Sequence, residues 1–176
     1  MLGKKTYLCT LQFLLKYHSV TMKIEIERKY LLKNDSWKEN AKGVYYKQAY
    51  LNEKGDNTVR VRIEGDVAKL TIKSKATNIS RMEFEYDIPM QDAENLFLIA
   101  KTPAVEKYRY KVMFAGNCWE IDEFLGHNSG LVVAEIELES EEQSFEKPSW
   151  IGEEVSGDHR YTNANLARTP YDQWEK

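Results

Sequence analysis

The chain has 176 residues, enough for one domain with a substantial core and too few for two comfortable ones. Its 42% apolar and 30% charged residues match a folded soluble domain, and a net charge of −3 argues against a general nucleic-acid binder, which carries a basic excess. Two cysteines (Cys9, Cys118) and three scattered histidines (His18, His127, His159) exclude a disulfide framework and argue against a zinc site, and reduced thiols point to the cytoplasm.

Residues 1–21 form a leader of doubtful origin. Lys4 and Lys5 precede an apolar patch from Tyr7 to Leu15, but Lys16 and His18 interrupt its end and no small-residue cleavage site follows. The patch is also too short to span a membrane, which takes ~20 apolar residues. Met22 stands directly before the first clean strand pattern and reads as the natural start of a single domain covering 22–172. Within it, period-two alternation predicts strands at Lys23–Leu32, Tyr45–Leu51, Thr58–Glu64, Val67–Ser74, Met82–Ile88, Glu106–Phe114, Cys118–Phe124 and Leu131–Glu139. Gly65–Asp66 and Ala115–Asn117 mark tight hairpins between neighbouring strands. Asp92–Lys101 has helical spacing with Asp92 as N-cap, Glu141–Glu146 reads as a short helix, and Asn163–Arg168 as another.

Each strand pattern puts one face in charge. Glu25, Glu27 and Lys29 share a face opposite Ile24, Ile26, Arg28 and Tyr30. The same split gives Arg60, Arg62 and Glu64 on the third strand, and Thr71 with Lys73 on the fourth. Glu83, Glu85 and Asp87 follow, then Lys107, Arg109 and Lys111, then Glu120 and Asp122, and finally Glu135, Glu137 and Glu139. A solvated sheet face alternates too, but it normally mixes charge signs and small polar residues. Here most strands are dominated by one sign, and like charges ~7 Å apart on a strand repel unless a polyvalent ligand bridges them. Carboxylates call for a metal, Lys and Arg for a polyphosphate. If the charged face turns inward, a cavity forms with a cationic half for phosphate oxygens and an anionic half for a hard divalent cation such as Mg²⁺ or Mn²⁺.

The segments "EIERK", "VRVR", "LTIKSK", "SRMEFEY", "EKYRYK", "WEIDEF", "AEIELE" and "GEEVSGDHRYTNANLA" stand in the order seen in CYTH-domain proteins, the triphosphate tunnel metalloenzymes. From about residue 22 to 170 the chain resembles the short bacterial members, which are inorganic triphosphatases. The resemblance implies a mainly antiparallel α+β fold, a closed eight-stranded β-barrel tunnel with a charged interior and helices packed outside. It implies metal-dependent hydrolysis of triphosphate to phosphate and diphosphate. Glu25, Glu27, Glu135 and Glu137 would hold Mg²⁺ or Mn²⁺. Lys29, Arg60, Arg62, Lys73, Lys107, Arg109 and Arg160 would contact phosphates. Glu83, Glu85 and Asp122 would be further acidic tunnel residues, and Tyr50 would modulate Lys29, unless it serves packing alone. The partner implied is a small polyanion, without nucleic acid or membrane, and a homodimer is compatible with the pattern. Where similar members often carry lysines in "D-K-R-Y-K-N", this chain has His159 and Thr162.

Two other readings fit the same charge pattern. One is a class IV-type adenylate cyclase or a hydrolase of organic triphosphates such as thiamine triphosphate or nucleotides, although no segment is dedicated to a base or thiazolium pocket. The other is a non-catalytic polyanion-binding module, in which the carboxylates would weaken capture.

Overall fold

The computed structural model describes residues 26–39, 41–52, 57–75 and 82–175. Nine strands lie at β1 Ile26–Leu32, β2 Gly43–Tyr50, β3 Thr58–Glu64, β4 Val67–Lys73, β5 Glu83–Ile88, β6 Val105–Phe114, β7 Asn117–Phe124, β8 Val132–Leu138 and β9 Ile151–Glu154. Among the described residues, two α-helices, α1 Met90–Leu98 and α2 Asn163–Arg168, follow β5 and β9. None of the helices among the described residues is long and apolar enough to cross a membrane.

All pairings are antiparallel, in the order β5-β4-β3-β2-β6-β7-β8-β1-β9. The expected mainly antiparallel sheet is therefore present, but its ladder is open rather than a closed eight-stranded barrel. Its two edge strands, β5 and β9, are not hydrogen-bonded to each other among the described residues. β9, a ninth strand absent from the sequence reading, pairs with β1 through Tyr30↔Glu154 and Leu32↔Ile151 and so extends the ladder by one strand instead of leaving β1 as its edge. Backbone bonds from Val155 N–H to the Lys29 carbonyl and from Lys33 N–H to the Trp150 carbonyl extend the contact, at 2.8 and 2.9 Å. A Cβ at Gly152 would sit 2.8 Å from the Leu31 carbonyl oxygen, so this position requires glycine for β9 to lie so close.

The turns confirm the hairpins. Glu64 pairs with Val67 across Gly65–Asp66, and Gly65 has a φ of +58°, suiting a two-residue turn with glycine first. Phe114 pairs with Asn117 across Ala115–Gly116.

Alternation sorts the side chains to two faces. On the outer face, Tyr30, Trp119, Ile121, Ala134, Ile136 and Leu138 pack with Trp37, Trp150 and Ile151 into one buried cluster. The chain from residue 139 to 150 covers part of it as irregular backbone, correcting the helix expected at Glu141–Glu146. Phe145 explains the difference, because it must reach the Tyr30 and Trp119 rings, with centroids 6.5 and 5.8 Å away. The Gln143 side chain meanwhile accepts the Glu139 N–H at 2.6 Å, holding a turn in place of a helix. A second outer cluster forms where α1 lays Ala93 on Ala49, Val61, Ile63 and Ala68. That helix starts after Pro89 rather than at Asp92, which lies in its first turn.

The inner face is charged along most of its length and apolar at one end. There Tyr50, Val105, Phe124, Leu131 and Val133 meet Leu166 and Ala167 of α2, a plug burying several large side chains at about 1.5–3 kcal/mol each.

Candidate functional site

Above that plug the inner face encloses a cavity of about 530 Å³. Its walls carry seven cationic side chains, Lys29, Arg60, Arg62, Lys69, Lys73, Arg109 and Lys111, and seven anionic ones, Glu27, Glu64, Glu83, Glu85, Glu120, Glu135 and Glu137. Tyr46, Tyr50, Thr58 and the start of α2 at Thr162–Ala164 complete the lining. Residues of β5 and β1, near opposite ends of the ladder, thus face one another across a single space.

Strand register sets the pairing. On β1 and β8, Lys29 stands opposite Glu135 and Glu27 opposite Glu137. Lys29 Nζ lies 2.5 Å from a Glu135 oxygen and 2.7 Å from a Glu27 oxygen. On β6 and β7, Arg109 stands opposite Asp122. Its Nε and one terminal nitrogen each reach an Asp122 oxygen at 2.6 Å, the latter nitrogen reaches Glu135 at 2.8 Å, and the other donates to Glu120. Lys107 donates to Asp122 and, at 3.2 Å, to the Asn163 side chain. The far wall is looser. Arg60 donates to Thr71 at 3.1 Å and lies 3.7 Å from Glu85, while its buried Nε–H meets no acceptor. Lys69 pairs with Glu85 at 2.7 Å and Lys73 with Glu83 at 3.0 Å.

These environments move the ionisations in opposite senses. Burial disfavours the Lys29 ammonium, but Glu135 and Glu27 outweigh it and raise the group above its ordinary value. Burial likewise opposes charge on Glu135, where Lys29, Arg109 and Lys107 win and hold the carboxyl well below the usual range. Arg109 is raised by Asp122, Glu135 and Glu120 against its own burial. Lys107 goes the other way: burial and the neighbouring Arg109 outweigh Asp122 and bring it down to about 8. Burial and Arg62 lower Arg60 to about 10, still cationic at neutral pH.

Most expected site residues therefore share the cavity: Glu27, Lys29, Tyr50, Arg60, Arg62, Lys73, Glu83, Glu85, Arg109, Glu135 and Glu137. Glu25 lies outside the described residues. Three residues fall elsewhere. Lys107 and Asp122 are fully buried beneath the wall, where they brace Arg109 and α2. Arg160 sits outside the cavity lining, gripping Asp158 with two nitrogens and lying over the Trp174 ring at 5.2 Å. Tyr50 receives a hydrogen bond from Gln48 at 3.1 Å. Sequence reasoning missed Lys69, whose parity with Thr71 and Lys73 was readable, and Gln48, a lone buried amide without a distinguishing pattern.

This chain belongs to the CYTH domain family. The family model matches residues 23–171. The CYTH chain is 50% identical over 153 residues to an inorganic triphosphatase of Acetivibrio thermocellus, covering 86% of this chain and 98% of that one. It is 38% identical over 147 residues to an inorganic triphosphatase of Nitrosomonas europaea, covering 81% and 96%. The crystal structure of the inorganic triphosphatase NE1496 superposes with a TM-score of 0.64 at 36% identity, over 83% of this CYTH chain and 95% of that one.

Hard divalent cations take oxygen ligands. Glu27, Glu135 and Glu137 bring such oxygens to one wall of the CYTH cavity. Among the described residues no three acidic, histidine or cysteine side chains converge on one point, because Glu27 and Glu135 turn onto Lys29. The all-carboxylate donor set fits a hard cation, with Lys29 as the counter-charge between two of its members.

Proposed function

We propose that this protein hydrolyses inorganic triphosphate to phosphate and diphosphate in the charged cavity. The observation that carries the reading is the balance of seven cations against seven anions on one lining. A bare polyanion would face as many carboxylates as ammonium and guanidinium groups, so simple anion capture gains little. A complex of triphosphate with a divalent cation offers each half of the lining its complement. The names of the relatives agree with this substrate, and reading the sheet as a tunnel is supported by Glu83 and Glu85 of β5 sharing the cavity with Glu27 and Lys29 of β1.

In this reading Glu25, Glu27, Glu135 and Glu137 would hold Mg²⁺ or Mn²⁺, which would neutralise charge on the phosphate oxygens when bound. Lys29, Arg60, Arg62, Lys73 and Arg109 fix the phosphates, and the open Nε–H of Arg60 is a ready donor to one of them. A water held by a cavity carboxylate attacks the terminal phosphorus, its proton passes to that carboxylate, and the bridging bond breaks with diphosphate as leaving group. Such transfer needs positioning and charge stabilisation rather than a protein nucleophile, and no Ser, Cys or His lines the described cavity. A cytoplasmic setting is in keeping with the free thiol of Cys118.

The deciding experiment is phosphate release from tripolyphosphate, ATP and thiamine triphosphate, each with Mg²⁺, Mn²⁺ or chelator. Metal-dependent release that favours tripolyphosphate supports the assignment. No release from tripolyphosphate with either metal overturns it.

A further inference from the structure

We propose that Gln48 is a positioning residue that sets the orientation of both Arg62 and Tyr50 toward the substrate; this rests on the triphosphatase reading. Gln48 is fully buried on the inner face of β2, directly opposite Arg62 of β3, with Tyr50 two residues along. Its side-chain oxygen accepts from Arg62 Nε at 3.1 Å, and its side-chain nitrogen donates to the Tyr50 hydroxyl, also at 3.1 Å.

The chemistry fixes which end of the amide faces which partner. Arginine only donates, so the amide oxygen must face Arg62 and the NH₂ must face Tyr50. The phenol oxygen is thereby committed as an acceptor toward Gln48, and its own proton points away from the amide. Arg62 is held at a second nitrogen by Glu64 at 3.0 Å, which leaves the remaining edge of the guanidinium for the cavity it lines. A neutral amide is the side chain suited to this place. A carboxylate would still accept from Arg62 but would compete with phosphate for its charge and offer no proton to Tyr50. An apolar side chain would leave the half-buried Arg62 Nε–H without this partner.

The test is Gln48→Glu, close in shape, examined with Tyr50→Phe and the double variant, with thermal unfolding confirming that each is folded. Gln48→Met, uncharged and of similar length, serves if the glutamate variant does not fold. With tripolyphosphate, Gln48→Glu should raise KM through Arg62 and lower kcat through Tyr50, with a combined loss in kcat/KM of ~10-fold or more. In the Tyr50→Phe background the kcat part should vanish while the KM part persists, a coupling that a purely structural role would not produce. Wild-type values in Gln48→Glu, or equal kcat losses with and without Tyr50, overturn the proposal. If the wild-type protein releases no phosphate, the proposed function falls. Calorimetric affinity for tripolyphosphate then decides on Gln48, with unchanged affinity in Gln48→Glu counting against it.

Discussion

Asp122 stands inside a buried charge network on the inner face of β7. It is fully buried and accepts from two nitrogens of Arg109 and from Lys107. Replacing it by asparagine keeps the shape but removes the carboxylate that Lys107 and Arg109 share, leaving Arg109 its contacts with Glu120 and Glu135 and leaving Lys107 without a direct ion-pair partner. Removing one partner of a buried ion pair costs about 3–5 kcal/mol, since the remaining charge is left without compensation. In a chain of this length each kcal/mol moves the unfolding midpoint by about 2–4 °C, so Asp122→Asn should lose roughly 6–20 °C. Deprotonation of Lys107, already lowered to about 8, relieves part of the strain and sets the lower end of that range. The assay is thermal and urea unfolding at pH 7, with Asp122→Asn/Lys107→Met as the partner variant, which should recover much of the loss. A midpoint for Asp122→Asn within 2 °C of wild type would refute the assignment of Asp122 as the principal counter-charge.

Further outcomes follow from the same network. Glu27→Gln should abolish metal-dependent phosphate release while circular dichroism stays native, because Glu135 still holds Lys29; full activity would sink the metal assignment. Lys107 has a folded value near 8 against an ordinary 10.5, so the unfolded chain holds its proton across that window and stability should rise with pH between the two. Unfolding midpoints from pH 7.5 to 10.5 check this, and Lys107→Met should flatten the rise. Glu135 is depressed below its ordinary 4.5, so its contribution is complete above that pH and fades below it. Glu135→Gln should therefore show a shallower acid loss of stability than wild type.

Period-two alternation placed seven strands within two residues of where the described chain shows them, and the end of the first at Leu32, whose expected start at Lys23 lies outside the described residues, because each needed one face in the core. The four-residue β9 escaped notice because Ile151–Glu154 is too short to show a period and has meaning only against β1. The acidic run at Glu141–Glu146 looks helical in composition, yet the outer aromatic cluster needs Phe145 more than the run needs hydrogen bonds. Parity likewise assigned the inner-face charges, but it carries no information about depth along the strand. Lys107, Asp122 and Arg109 share a face, and α2 with its plug decides that the first two lie beneath the wall while Arg109 borders the cavity. Which carboxylate meets which cation depends on register between strands far apart in sequence, which alternation alone does not encode.

The outer cluster that holds Trp37, Trp119 and Trp150 has a spectroscopic consequence. Three of the four tryptophans sit on the face of the sheet away from the cavity, so their emission reports the integrity of β1, β7 and β8 and is blind to charge rearrangement within. The fourth, Trp174, stacks edge-on with Tyr161 and Tyr171 beneath Arg160 at the base of α2. A ligand titration followed by fluorescence would therefore be read chiefly by one indole, packed against the apolar plug outside the cavity lining.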